Sequence, residues 1–343
     1  MSTAKDIENQ HSSAPKFVVL DGEVREPRVL RTEKSIFDYV SIARPDHWFK
    51  NIFVIPGMLM VPFFFSVEIN SALIISALMS IFATCLVASS NYVINEVLDA
   101  QYDRFHPVKK NRPVAAGRIS IKLAFVEWIV LGIIGVAIGF GVNSFVGFAS
   151  LALWIMGCVY NIPPVRTKEL AYLDVLSESL NNPIRMTIGW YAIGVVAPPP
   201  VSALFAYWMF GAFLMGIKRF AEYRKIDNPK LAAEYRHSFQ FYTEEKLIAS
   251  CVFYVTLFMT GAMAFIMLYR LELVFVIPFF AYLVSYYFYI GFREDSPVQY
   301  PENLYKEKHL SIAVVVCSLS CLALFFSVDL PWFKELFNVL TPK

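Results

Sequence analysis

The stretch ALIISALMSIFATCLVASSNYVINEVLDAQYD, residues 72–103, decides the fold. Up to Ile94 it carries no charge, and an uncharged apolar run of about 20 residues is what a helix needs to cross the hydrocarbon of a bilayer. At its foot the stretch turns polar. If the helix continues, Asn95, Asp99 and Asp103 stack at i, i+4 and i+8 on one face, with Glu96 seven residues before Asp103. Bare carboxylates at that spacing repel one another, and they resist desolvation where a membrane ends. Two readings fit: a solvated helix end with acidic decoration, or a cluster bridged by a divalent cation, for which hard oxygen ligands suit Mg²⁺.

The rest of the chain repeats the apolar pattern. Of its 343 residues 57% are hydrophobic and 17% charged, against roughly 45–50% and 25% in soluble domains. Apolar spans are expected at roughly 51–67, 71–94, 122–141, 144–160, 174–196, 201–217, 247–269, 272–291 and 309–328, about nine in all. This excludes a soluble globular domain and predicts an all-α, multi-pass integral membrane protein. Residues 1–34 read as a flexible tail with no apolar core, so no cleaved signal peptide is expected. Residues 35–330 form one transmembrane domain. Residues 331–343, with Trp332, Phe333, Leu336 and Phe337, suit an interfacial segment.

The basic residues alternate between loops. Those after the second, fourth, sixth and eighth spans hold nearly all of them, and Arg270 is the only basic residue in the others. By the positive-inside rule the amino terminus and the basic loops face the cytoplasm. The polar constellations all fall on that side. The five cysteines lie in apolar runs without a CxxC pair, and His47, His106, His237 and His309 show no metal-ligand spacing.

Three constellations stand out. Directly after the acidic cluster, residues 104–117 bring Arg104, Lys109, Lys110 and Arg112; acids followed by bases suit a metal-bridged polyphosphate. In the fifth span Asp174, Glu178, Asn181 and Arg185 share one helix face some three turns long. Polar groups at that depth line a cavity or pair together, and a structural Arg185–Glu178 salt bridge is the plainer alternative. Pro183 suggests a bend there. Finally, residues 218–246, headed by Lys218 and Arg219, suit either a connector or a cap closing over a substrate.

Asn95-Glu96-x-x-Asp99-x-x-x-Asp103 resembles the NDxxDxxxD signature of the UbiA-type intramembrane prenyltransferase superfamily. Within it the likeness is greatest to the decaprenyl-phosphate phosphoribosyltransferase branch. The features are Arg44-Pro45-x-x-Trp48-x-Lys50-Asn51, His106-Pro107-x-Lys109-x-x-Arg112-Pro113-Val114-Ala115-Ala116-Gly117, Asp174 with Arg185, Lys218-Arg219-Phe220-Ala221-Glu222, and Arg236-x-Ser238-x-x-x-Tyr242-Thr243. Glu96 departs from the usual Asp, and Glu178, Asn181 and Asn182 add polarity to the second helix.

The resemblance implies about nine helices around a central cavity open to the cytoplasmic side of a bacterial inner membrane. It implies Mg²⁺-dependent transfer of a 5-phosphoribosyl group from phosphoribosyl diphosphate to a polyprenyl phosphate, with Mn²⁺ as an alternative ion. The partners implied are an isoprenoid lipid, a diphosphate-bearing small molecule and the membrane, without nucleic acid. Prenyl transfer to an aromatic or other small acceptor is the alternative, and a non-enzymatic transporter a second one. In the implied site Asp99, Asp103, Asn95 and Glu96 serve the metal. Lys50, Lys110 and Arg112 bind outer phosphate oxygens. Asp174 and Glu178 hold a second metal or the ribose hydroxyls. Arg185, Lys218 and Arg219 receive the lipid phosphate, and Tyr160, Lys168 and Asn181 complete the substrate-binding set.

Overall fold

The computed structural model describes residues 35–104, 109–226, 228–299, 301–326 and 330–338. The expected tail 1–34, His106 and Pro107 of the basic loop, and the last five residues of the expected interfacial segment lie outside them. The described residues are helical throughout their ordered elements. In chain order α1 is Ile36–Ala43, followed by a 3-10 segment Pro45–Val54 that runs into α2, Ile55–Phe64. Then come α3 (Ser71–Asp103), α4 (Ile121–Val142) and α5 (Ser144–Asn161). The second half holds α6 (Leu173–Ser179), α7 (Asn181–Ala192), α8 (Val201–Ile226) and α9 (Pro229–Tyr235). It closes with α10 (Glu244–Tyr269), α11 (Ile277–Gly291), α12 (Lys308–Phe326) and α13 (Pro331–Asn338).

Among the described residues seven helices are long and apolar enough to cross a membrane, rather than the nine expected. The two others are built from pieces. At 51–67 the chain is first a 3-10 segment and then the ten-residue α2, with prolines at 45, 56 and 62. At 174–196 the helix breaks between α6 and α7. Pro183 has no N–H to donate to the Ser179 carbonyl four residues back, so the α ladder fails there. Hydropathy also misplaces two ends: α3 runs on through Asp103 and α8 through Ile226, so Lys218 and Arg219 sit on a helix and not in a loop. An Arg219–Glu222 pair three residues apart, at 3.1 Å, supports that extension.

Helix α3 packs against α4, α5 and α7, while α8 packs against α10, α6 and α11. Val54, Val87, Val146, Leu153 and Ile188 form the core of the first half, and Phe213, Ile217, Tyr254, Phe258 and Ile290 that of the second. Outside these cores apolar side chains are left exposed, such as Ile74, Leu78 and Phe82 on α3 and Ile312, Val315 and Leu319 on α12. Such a belt is stable only against lipid.

Two glycines set the closest crossing. A Cβ on Gly57 would lie 1.9 Å from the Met186 carbonyl oxygen, and one on Gly189 would lie 1.9 Å from the Val54 carbonyl oxygen. Helices α2 and α7 therefore meet backbone to backbone, as small residues allow in membranes. Gly57→Ala should push them apart and cost about 1–3 kcal/mol. A thermal-unfolding midpoint in detergent equal to the parent's would disprove the tight crossing.

Candidate active site

Helix α3 delivers Asn95, Asp99 and Asp103 to one end of the bundle, one turn apart on a single face. Each meets a cation from another segment. The Asp99 Oδ1 accepts hydrogen bonds from Lys168 Nζ at 2.6 Å and Arg166 Nη2 at 3.1 Å. The same ammonium donates to the side-chain oxygens of Asn95 and Asn161, each at 3.0 Å. Asp103 Oδ2 accepts from Arg112 Nη1 at 2.6 Å. Burial brings the Lys168 ammonium down to about 8, while Asp99 beside it favours the charged form. The α5–α6 loop holds Arg166 and Lys168 in place through a left-handed Arg166 (φ 30°) and a Thr167–Ser177 hydroxyl contact at 2.8 Å.

Glu96 sits one residue round the helix and faces elsewhere. Its Oε1 accepts the Val114 N–H at 3.3 Å and its Oε2 lies 3.5 Å from Arg44 Nη2. It is buried beside the apolar cluster of Ile42, Val93, Val97, Val114 and Ile119.

A second network centres on Arg219 of α8. Its guanidinium donates to Asp174 at 3.0 Å, Glu178 at 3.0 Å and Glu222 at 3.1 Å. Asp174 is wholly buried, and Tyr242 at 2.8 Å and Ser238 at 3.2 Å also donate to it. Its oxygens are thus engaged from three sides, which leaves no open face for a metal or a ribose hydroxyl. Arg219 is likewise committed to acids and has no free edge for a lipid phosphate. Glu178 is the partly open member, with 37% of its side chain exposed and its Oε2 also accepting from Tyr160 at 3.0 Å. Asn181 donates to the Glu178 carbonyl at 3.1 Å.

Arg185 stands apart from both. It lies on α7, and its Nε donates to Asn51 Oδ1 at 3.1 Å. No carboxylate pairs with it among the described residues, and Glu178, the plainer partner, is held by Arg219 instead. Tyr92, Tyr207 and Cys85 are its near neighbours, and the Glu178 carboxylate acts on it at longer range, without an ion pair.

The two networks share one end of the bundle. Lys109 places its ammonium 4.9 Å from the Tyr235 ring, which joins the α3–α4 loop to the α9 segment. Lys110 is exposed, and Lys218 is half-buried within Coulombic reach of Glu178 and Glu222. The Lys50 ammonium lies 5.9 Å from the Phe49 ring, while Trp48 and Asn51 of the same segment bond to α3.

Among the described residues no three His, Cys, Asp or Glu side chains gather into a metal cage. Mg²⁺ does not require one, since it is held through one or two carboxylates together with substrate phosphates and water. Asp99 Oδ2 and Asp103 Oδ1 have no hydrogen-bond partner among the described residues, so this pair fits such an ion. Asp174 does not.

Sequence reasoning left several participants without a role. By sequence Asn161 and Arg166 stand with Tyr160 and Lys168 in the polar group that opens the fifth span, and nothing there gives either a role of its own. Ser238 and Tyr242 were in a quoted motif, but nothing in spacing links residues 238 and 242 to Asp174. Asn51, not Lys50, is the inward member of its pair.

The sequence pattern of the UbiA prenyltransferase family matches residues 53–299. A decaprenyl-phosphate phosphoribosyltransferase of Mycolicibacterium smegmatis is 30% identical over 233 residues, 66% of this chain and 69% of the relative. A protoheme IX farnesyltransferase of Acinetobacter baumannii is 27% identical over 302 residues, 85% of this chain and 96% of the relative. The solved structure of a UbiA homolog from Archaeoglobus fulgidus bound to DMAPP and Mg²⁺ superposes with a TM-score of 0.64 at 22% identity, covering 84% of this chain and 98% of that one.

Proposed function

The chain belongs to the UbiA prenyltransferase family and is a multi-pass membrane transferase rather than a transporter, and from that premise we propose that it moves a 5-phosphoribosyl group from phosphoribosyl diphosphate to a polyprenyl phosphate. Arg185 carries this reading. A guanidinium inside the bundle with one amide partner, and with Glu178 acting on it only at longer range, calls for an anion. A polyprenyl phosphate acceptor brings one to that depth, whereas a neutral acceptor does not. The mycobacterial relative, named for this chemistry, supports the choice.

In this reading Asp99 and Asp103, with Asn95 beside them, hold Mg²⁺. When bound, the ion supplies positive charge to the departing diphosphate. Lys168, Arg112 and Lys110 neutralise the outer phosphate oxygens. Glu178, kept charged and oriented by Arg219 and Tyr160, accepts from the ribose hydroxyls. The bond from ribose C1 to the diphosphate oxygen breaks with its electron pair going to diphosphate. A lipid phosphate oxygen, held by Arg185 and assisted by Lys218, then bonds to C1. Asp174 fixes Arg219 and touches neither substrate. In this reading the basic loops, and this end of the bundle with them, face the cytoplasmic side of a bacterial inner membrane, as the positive-inside rule supports.

The protoheme IX farnesyltransferase relative favours a second reading, prenyl transfer to a small acceptor whose own anionic group would sit on Arg185. The test is detergent-purified protein with Mg²⁺, labelled phosphoribosyl diphosphate and polyprenyl phosphate. A labelled lipid is expected. No labelled lipid, with turnover of a prenyl diphosphate instead, would replace the first reading by the second.

A further inference from the structure

We infer that Glu96, although it lies within the acidic motif of α3, is a positioning residue that sets the basic α3–α4 loop, and that it does not ligate the metal. The inference rests on the diphosphate-transfer reading above. Residues 95 and 96 differ by about 100° around a helix, so Glu96 leaves the face shared by Asn95, Asp99 and Asp103. Its side chain is 2% exposed, and its two oxygens go to the Val114 amide and to Arg44.

Those two partners belong to the segments that must be held against α3. Val114 drops its side chain into the apolar cluster with Ile42, Val97 and Ile119 while its N–H meets Glu96. Two residues earlier, Arg112 reaches Asp103 at 2.6 Å. The loop is braced internally as well: Arg112 N–H donates to the Lys109 carbonyl at 2.9 Å and Ala116 N–H to the Arg112 carbonyl at 2.8 Å. A shift at Val114 therefore carries Arg112, Lys110 and Lys109 with it as a unit. Arg44 caps α1 in the left-handed region (φ 49°), with its guanidinium 5.7 Å from the Tyr92 ring. Among the described residues Glu96 reaches both segments from α3 through polar contacts, while Val93 and Val97 beside it meet them through the apolar cluster.

The choice of Glu over Asp follows from reach. Removing one methylene draws the carboxylate back by about 1.5 Å, and the 3.3 Å bond to Val114 would no longer form. Glu96→Gln keeps a carbonyl acceptor for the same amide and loses only the charge toward Arg44.

The test uses the full chain in detergent with inorganic pyrophosphate and Mg²⁺ as the probe, so that it does not depend on the organic part of the donor. For Glu96→Asp we expect pyrophosphate affinity by calorimetry to weaken about tenfold and amide exchange over residues 112–118 to quicken. The Mg²⁺ concentration for half-saturation should stay within about twofold of the parent's. Glu96→Gln should keep the exchange protection and most of the affinity. Asp99→Asn should behave oppositely, moving the Mg²⁺ midpoint with the loop still protected. The inference is overturned if Glu96→Asp shifts the Mg²⁺ midpoint as Asp99→Asn does, or if its affinity and exchange match the parent's. A failed labelled-lipid assay alongside these expected shifts would refute the substrate reading and leave Glu96 in its role.

Discussion

Asp99→Ala is expected to lower the transfer rate by about 10³-fold, the largest single loss in the molecule. Asp99 meets two cations on one oxygen and keeps the other open, with 23% of its side chain exposed. It thus stands at the point where metal and leaving diphosphate would come together. The substitution also removes the counter-ion of Lys168, so burial acts on that ammonium with less opposition and drives it further down from about 8. Two defects then fall on the same phosphate oxygens. Initial rates across a Mg²⁺ titration are the measurement, with Asp103→Ala as companion. A rate within tenfold of the parent's at saturating Mg²⁺ would remove Asp99 from the reaction centre.

Arg185→Leu should cut turnover on the order of 10²-fold and at the same time raise the unfolding midpoint by roughly 2–4 °C. Few substitutions move the two in opposite directions. An isolated guanidinium among Tyr92, Tyr207 and Cys85 is costly to keep in the apo protein, and an isosteric apolar residue relieves that cost. The loss should fall on the acceptor: its KM rises while that of the diphosphate donor holds. Unchanged acceptor KM, or a fall in stability, would mean that Arg185 serves packing alone.

How much of this was open to sequence reasoning differs residue by residue. The stacking of Asn95, Asp99 and Asp103 on one face followed from helical periodicity, because α3 continues unbroken past the apolar run. The family was legible from the same stretch. That Asn51 turns inward beside Lys50 has a geometric reason: the segment is 3-10, with side chains eclipsing every third residue, so Trp48, Asn51 and Val54 share its inward face. No composition signal separates that period from an α-helical one over ten residues. Asp174 looked like a metal ligand because an acid deep in an apolar run invites that reading. Its partners Ser238 and Tyr242 come from 64 and 68 residues away, a closure that only the folded chain displays. Span counting erred where proline shortened the helices, since hydropathy sums over residues and does not register a broken ladder.

The crossing of Gly57 and Gly189 has a consequence for the acceptor subsite. Val54 touches Gly189, and one turn earlier on each strand of the contact Asn51 holds Arg185. Backbone against backbone leaves neither segment room to rotate, so the guanidinium is aimed before any lipid arrives. Orientational entropy is therefore given up once, during folding, and not at each catalytic cycle. Enlarging either glycine would blunt that aim and slow turnover even in protein that still folds.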